Sequence, residues 1–125
     1  GVYGNIDDAA VQDEFPEHLR FECEGVDVWM THIGGRPGRY APGIRRQLLQ
    51  RPPAVFICGH SHIAQVARDP SVGRMLFLNP GATGHQGFHT MRTLLRFEIH
   101  DAHVQKMQLV ELGPRGRTTS PHANR

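Results

Sequence analysis

Two histidines, His60 and His62, directly follow a short apolar run and are well suited to metal chemistry. The run Val55-Phe56-Ile57-Cys58 predicts a buried strand, which ends at a glycine. In an extended backbone, residues two apart point to the same side, so the two imidazoles are expected to face together. Two imidazoles beyond a strand end could form half of a metal site. The pattern alone is equally typical of a structural turn.

Two further groups in the sequence could complete such a site. His32 follows another predicted strand and precedes Gly34 and Gly35, which let the backbone turn sharply or approach a ligand closely; a histidine that caps a turn is the alternative. Asn5 lies in the loop Gly4-Asn5-Ile6-Asp7, where its amide oxygen either binds a cation or belongs to an ordinary turn. Three nitrogens and one amide oxygen would suit Mn²⁺, Fe²⁺, Zn²⁺ or Ni²⁺.

Two arginines, Arg36 and Arg39, lie in the segment after His32. Guanidinium groups bind phosphate in a bidentate manner, so these two are candidates for contact with a phosphorylated substrate. The alternative is that both are simply solvated on a loop.

The elements that must position these residues alternate between strands and helices. Residues 18–23 and 26–30 alternate in polarity around Glu24-Gly25, which predicts a β-hairpin that carries the core residue Trp29. Residues 42–50 predict a short helix with Ile44, Leu48 and Leu49 facing inward. Further strands are predicted at 1–3, 54–58, 63–68, 75–78, 93–100 and 104–112. A helix between two strands suggests a crossover unit and hence an α/β fold.

Composition narrows the class of protein. The chain has 125 residues, enough for one domain, and a net charge of only +2 with no basic stripe carrying aromatics, so no specific nucleic-acid binding is expected. No apolar run approaches the ~20 residues that span a membrane. The two cysteines, Cys23 and Cys58, are predicted to be free thiols in a reducing cytoplasm. Nine histidines favour metal chemistry, and homo-oligomerisation is left open.

Four motifs, taken together, resemble those of a known family. Gly4-Asn5-x-Asp7, Thr31-His32-x-Gly34, Gly59-His60-Ser61-His62 and Asn79-Pro80-Gly81 occur in the order of the calcineurin-like metallophosphoesterase superfamily. The sequence is most similar to the small YfcE-like phosphodiesterases of that superfamily. The resemblance covers residues 1–112, and residues 113–125 are expected to form a disordered tail.

The resemblance implies a four-layer α/β/β/α sandwich with a two-metal site at strand ends. In that site Asn5, His32 and His60 would bind one metal and His62 the other, with manganese favoured and iron, zinc or nickel as alternatives. The implied activity is hydrolysis of a small phosphodiester by attack of a metal-bound hydroxide. Asn79-Pro80-Gly81 is expected to shape the wall of the site.

Two departures from the family pattern qualify this expectation. Many members have a histidine directly after the asparagine, thought to protonate the leaving group, but this chain has Ile6, which leaves Asp7 or a metal-bound water as the acid. The family's initial Asp-x-His and Gly-Asp motifs are also absent. The sequence begins at Gly1 without methionine, so we expect those segments and their strands upstream, and whether this chain alone is active is open. The alternative function is a protein-interaction scaffold of the same fold, like the retromer subunit.

Overall fold

A five-stranded mixed β-sheet forms the centre of the protein in the computed structural model, which describes residues 1–116. The elements in chain order are α1 (Ala9–Glu14), β1 (His18–Cys23), β2 (Val26–Thr31), β3 (Gly35–Arg36), β4 (Arg39–Tyr40), α2 (Ile44–Gln50), β5 (Val55–Ile57), β6 (Gln65–Asp69), β7 (Met75–Asn79), β8 (Met91–His100) and β9 (His103–Pro114). The large sheet has the order β1-β2-β5-β7-β6.

The central strands β2, β5 and β7 are parallel, while β1 and β6 pair antiparallel at the two edges. The β1–β2 hairpin confirms the prediction from alternation, and its two-residue turn has positive φ at both Glu24 and Gly25, as a tight hairpin turn requires. Helix α2 connects β2 to the parallel strand β5 and so confirms the predicted crossover.

The two faces of this sheet are covered by different elements. On one face Trp29, Phe56 and Phe77 pack with Ile44 and Leu48 of α2. On the other, a second core cluster of valines and leucines packs against the β8–β9 hairpin; its buried members are Val26, Val28, Val55, Leu76 and Leu78. The α/β class is confirmed, with the layers α2, large sheet and β8–β9 hairpin. Helix α1 buries no residue, so residues 1–116 supply three of the four expected layers.

Three details differ from the predictions. The expected strand at residues 1–3 does not form, because the Tyr3 N–H donates to the Pro16 carbonyl instead of joining a ladder. Leu49 was expected inside but is 46% exposed. In this seven-residue helix only Ile44 and Leu48 are buried, and they lie on one narrow face. Leu49 lies about 100° around the helix from Leu48, so its side chain lies outside that face. The strand predicted at 63–68 is shifted toward the carboxyl end, to Gln65–Asp69.

The end of the chain and the segment after His32 differ as well. Strand β9 extends through Pro114, so residues 113 and 114 do not belong to a disordered tail as predicted, and residues 117–125 of that prediction lie outside the described part. The segment that carries Arg36 and Arg39 was predicted as a loop but forms the short β3–β4 hairpin. Its turn is Pro37-Gly38, in which Gly38 has φ +83°.

No helix within residues 1–116 is both long enough and apolar enough to cross a membrane.

Candidate metal and phosphate site

Asn5, His32 and His60 converge at one edge of the large sheet. His32 follows β2 and His60 lies three residues after β5, and because these strands are parallel neighbours their carboxyl ends meet. The Asn5 Oδ1 atom lies 2.9 Å from His32 Nε2 and 3.1 Å from His60 Nδ1. The two imidazole rings stand edge to face with centroids 5.2 Å apart. Two nitrogens and one amide oxygen therefore meet at a single point.

A backbone hydrogen bond connects the loops that carry His32 and His60. The Gly59 N–H donates to the His32 carbonyl at 2.9 Å, and Cys58 continues the sheet pairing with a bond from its N–H to the Leu78 carbonyl. Burial raises the pKa of the Cys58 thiol to about 12. Cys58 and Cys23 are both free, as predicted, although Cys23 is only half-buried. Cys58 is therefore a packing residue.

His60 and His62 contact different partners, and neither lies in the extended backbone on which the sequence expectation rested. Both residues have left-handed backbone conformations, with φ +68° at His60 and +62° at His62, so the alternation of an extended strand does not apply. The His62 Nδ1 atom lies 3.2 Å from Nδ1 of His89, and the two rings stand edge to face. His62 nevertheless lines the same depression, of about 690 Å³, as His32, His60 and Asp7.

His89 is the residue beside the site that sequence reasoning missed, since it lies outside the four motifs. It is only 8% exposed, and its Nε2 atom lies 2.9 Å from the Gly84 carbonyl oxygen. Twenty-seven residues separate it from His62, so no local spacing links the pair. The nearest hint in the sequence is the glycine-rich stretch before it, which allows a loop to fold back closely.

Asn79 braces the loop that carries the two histidines. Its side chain, only 2% exposed, donates to the Gly59 carbonyl and to the Ser61 hydroxyl, and it accepts from the Gly81 N–H. All of its contacts are thus within the wall of the site. This agrees with the expected shaping role of Asn79-Pro80-Gly81.

Asp7 closes the loop that presents Asn5. Its carboxylate accepts from the Gly4 N–H at 2.6 Å, and its own N–H donates to the Gly4 carbonyl at 3.2 Å. Asp7 also lines the depression shared with the histidines. The observed contacts are structural, and the role of Asp7 as an acid stays a prediction.

Arg36 and Arg39 border a second cavity, of about 380 Å³, on the other side of His60. Its wall also includes Ser61 and Tyr40. Both arginines are exposed, and within residues 1–116 neither forms an ion pair. The cavity thus brings two available guanidinium groups to the same side chain that contacts Asn5.

Comparison with known families decides the relationship. The family model described as the calcineurin-like phosphoesterase superfamily domain matches residues 1–102. The chain belongs to this family. No curated protein matches it.

Solved structures share the metallophosphoesterase fold. A Thermotoga maritima protein, TM1076, is 27% identical, with a TM-score of 0.60 over 90% of this chain and 64% of its own. An archaeal phosphodiesterase is 17% identical, with a TM-score of 0.61 over 87% of this chain and 67% of its own. Vps29 from Entamoeba histolytica, in complex with zinc, is 16% identical, with a TM-score of 0.63 over 92% of this chain and 68% of its own. The chain thus spans about two thirds of the length of these proteins.

Metallophosphoesterases generally depend on divalent metals, and the donor set here suits one such ion in part. Within residues 1–116, no three histidine, cysteine or acidic side chains group as a metal site, so the set of three depends on the Asn5 oxygen. Desolvation is the largest cause that lowers the pKa of His32, and the nearby His60 is the second. Desolvation is also the largest cause that lowers the pKa of His62, and the nearby His89 is the second. Both imidazoles are therefore neutral at pH 7, the form that binds metal.

Proposed function

We propose that the chain is a metal-dependent phosphodiesterase. The observation that carries this proposal is the approach of His32 Nε2 and His60 Nδ1 to Asn5 Oδ1, at 2.9 Å and 3.1 Å, at a sheet edge. A scaffold has no need to hold two imidazoles beside an amide oxygen. The match to the superfamily model over residues 1–102 supports the hydrolase class, and the fold shared with an archaeal phosphodiesterase supports a diester as substrate.

In this proposal Asn5, His32 and His60 hold one divalent cation and His62 contributes to a second. Oxygen and imidazole ligands suit Mn²⁺, with Fe²⁺, Zn²⁺ and Ni²⁺ as alternatives. When bound, such cations offset the negative charge that develops on the phosphoryl oxygens and activate water. The protein's own residues orient the imidazoles through Gly59 and Asn79 and close the Asn5 loop through Asp7.

Arg36 and Arg39 bind the phosphate or a neighbouring anionic group of the substrate. Their cavity adjoins His60, and within residues 1–116 neither guanidinium has an acidic partner to release. Because guanidinium pairs with phosphate through charge-assisted hydrogen bonds, they would position the diester beside the metal ligands.

The proton for the leaving group comes from Asp7 or from water, and one substitution separates these sources. Asp7→Asn keeps an oxygen that accepts from the Gly4 N–H but cannot transfer a proton. If Asp7 is the acid, hydrolysis of a diester with a poor leaving group falls by about 10²-fold. Hydrolysis of a bis-aryl diester, whose leaving group needs little protonation, is unchanged. If wild type and Asp7→Asn hydrolyse each of the two substrates at the same rate, the proton comes from water.

The function is tested by hydrolysis of a bis-aryl phosphodiester during titration with Mn²⁺. We expect activity that saturates with metal in the wild type and is lost in His32→Ala. The matched control is His103→Ala, which removes an exposed histidine at the start of β9 and is expected to keep the activity. Absence of metal-dependent hydrolysis, or equal loss in both variants, would contradict the proposal.

The alternative, an interaction scaffold, gains support from exposed apolar side chains beside the site. Phe88 is 99% exposed and Ile6 is 90% exposed, and both lie on loops that carry site residues. A chain that shows no diester hydrolysis with any of the four metals, and that binds a partner through these residues, would favour this alternative. The free thiols of Cys23 and Cys58 suit the cytoplasmic location that we propose in either case.

A further inference from the structure

The pair formed by His62 and His89 has a direction that its hydrogen bonds define. The Nε2 atom of His89 lies 2.9 Å from the Gly84 carbonyl oxygen, which can only accept. His89 Nε2 must therefore carry a proton. In a neutral imidazole the other nitrogen is then an acceptor, so Nδ1 of His89 offers a lone pair to its neighbour.

That neighbour is Nδ1 of His62, at 3.2 Å. Two acceptors do not form a hydrogen bond, so His62 Nδ1 must be the donor and carry the proton of its own neutral ring. The only nitrogen of His62 with a free lone pair is then Nε2. We infer that His89 is a positioning residue that fixes His62 as the Nδ1–H tautomer and leaves Nε2 available to a ligand.

The loop around the pair is built closely enough to hold this arrangement. A Cβ atom on Gly87 would lie 2.3 Å from His62 Nδ1 and 3.1 Å from His89 Nδ1, and Gly87 has φ +130°. Only glycine fits there, and its backbone presses on the Nδ1–Cε1 edge of His62. That edge therefore faces protein, on the side of His89.

The inference rests on the proposed function for its purpose, since a free Nε2 is useful only if a ligand comes to it. His62 lines the depression that also includes His32 and His60. A metal-binding imidazole commonly donates its other N–H to a fixed acceptor, which sets the tautomer and orients the ring. The Gly84 carbonyl, His89 and His62 form such a relay, with an imidazole in place of the usual carbonyl or carboxylate acceptor.

The test is a long-range ¹H–¹⁵N correlation spectrum of the metal-free chain at about pH 8, where imidazoles are neutral. In the wild type we expect His62 protonated on Nδ1 and His89 protonated on Nε2. In His89→Ala the Nδ1–H to Nε2–H ratio of His62 is expected to fall by about tenfold, the equilibrium equivalent of one hydrogen bond.

Two further variants separate positioning from folding. His89→Asn keeps an acceptor atom at the position of Nδ1, and we expect it to restore the Nδ1–H form of His62. His85→Ala removes the neighbouring loop histidine, whose Nδ1 contacts the Arg115 carbonyl instead, and is expected to leave the His62 spectrum unchanged. The wild-type spectrum decides the question even if a His89 variant does not fold.

The inference is overturned if wild-type His62 carries its proton on Nε2, or if folded His89→Ala leaves the tautomer ratio unaltered. It is also overturned if added Zn²⁺ binds both Nδ1 atoms, because His89 would then be a ligand. Since the tautomer is read without metal and without substrate, its result is independent of hydrolysis. An inactive chain can confirm the relay, and an active chain can refute it.

Discussion

The lack of a side chain at Gly34 allows the loop after His32 to pack closely against β5. A Cβ atom there would lie 2.7 Å from Cys58 Cβ and 2.8 Å from Phe56 Cζ. Both neighbours are buried, so neither can move away cheaply. The glycine thus lets the loop after β2 press against β5, and this contact brings His32 within reach of the His60 loop.

Gly34→Ala is expected to lower the free energy of unfolding by about 2–3 kcal/mol, the usual cost of overpacking a filled core. The matched control is Gly84→Ala, since a Cβ atom at Gly84 meets nothing within 4 Å. We expect that control to change stability by less than about 0.5 kcal/mol. Urea unfolding of both variants measures the difference, and equal stabilities would show that the β2–β5 contact relaxes without cost.

At the scale of single residues, the sequence predicts which residues belong to the site better than it predicts where their side chains lie. Asn5, His32 and His60 were recognised as candidates from motifs at strand ends, and the structure brings them together; their role as ligands stays a prediction. The direction of His62 could not be foreseen, because it depends on a left-handed backbone and on contact with His89, which is distant in sequence.

Among the elements, the β3–β4 hairpin depends on one tyrosine for its attachment to the large sheet. The Tyr40 ring packs against Phe56 and Phe77, and its hydroxyl donates to the carboxylate of Asp69 at the end of β6. Asp69 is 4% exposed and also accepts from the Ser71 N–H and hydroxyl. This network therefore holds the arginines of the hairpin over their cavity.

The pKa of Asp69 gives this network a defined pH dependence. Burial alone would raise that pKa, but hydrogen bonds from Ser71 and Tyr40 outweigh burial and lower it. Because the pKa is lower in the folded state, the carboxylate stabilises the fold above its unfolded pKa of about 3.9. That contribution is lost as the pH falls through the folded pKa.

Asp69→Ala should therefore lower the free energy of unfolding by about 3 kcal/mol at neutral pH, since it leaves buried donors without an acceptor. The difference between wild type and variant should stay constant from about pH 7 to about pH 5, and it should shrink as the pH falls further, past the unfolded pKa and through the lower folded pKa. Chemical denaturation across that range measures it, with the exposed Asp13→Ala as control. A difference that is constant with pH would assign the effect to packing instead of charge.

The elements show which features of a sequence predict structure well. Strands β2 and β8 follow from alternation, because alternate apolar residues of each pack in one core cluster. The β3–β4 hairpin was missed because two-residue strands have no period to detect, although Pro37-Gly38 is a turn dipeptide. The end of β9 was placed too early, since glycine and proline rarely continue a strand, yet β9 pairs with β8 through Pro114.

The whole molecule is organised so that three distant segments share one site. Asn5 precedes α1, His32 follows β2 and His60 follows β5, so the three donors belong to parts of the chain that unfolding separates. A ligand that binds all three must favour the folded state, because the unfolded chain does not hold them together. Metal binding and stability are therefore linked.

This linkage yields the prediction at the largest scale. At a free metal concentration of about 100 times the dissociation constant, binding adds ~2.7 kcal/mol, which raises the melting temperature by roughly 10 °C for a chain of this size. We expect this rise with Mn²⁺ or Zn²⁺ in thermal unfolding, and its reversal by a chelator.

Two variants identify where the metal acts. His32→Ala removes one of the three converging donors and should abolish most of the rise, whereas His103→Ala, at the exposed start of β9, should retain it. If both variants lose the rise equally, the metal binds scattered histidines and not the site. If neither loses it, the rise does not depend on His32, and the convergence of three donors is not what stabilises the fold.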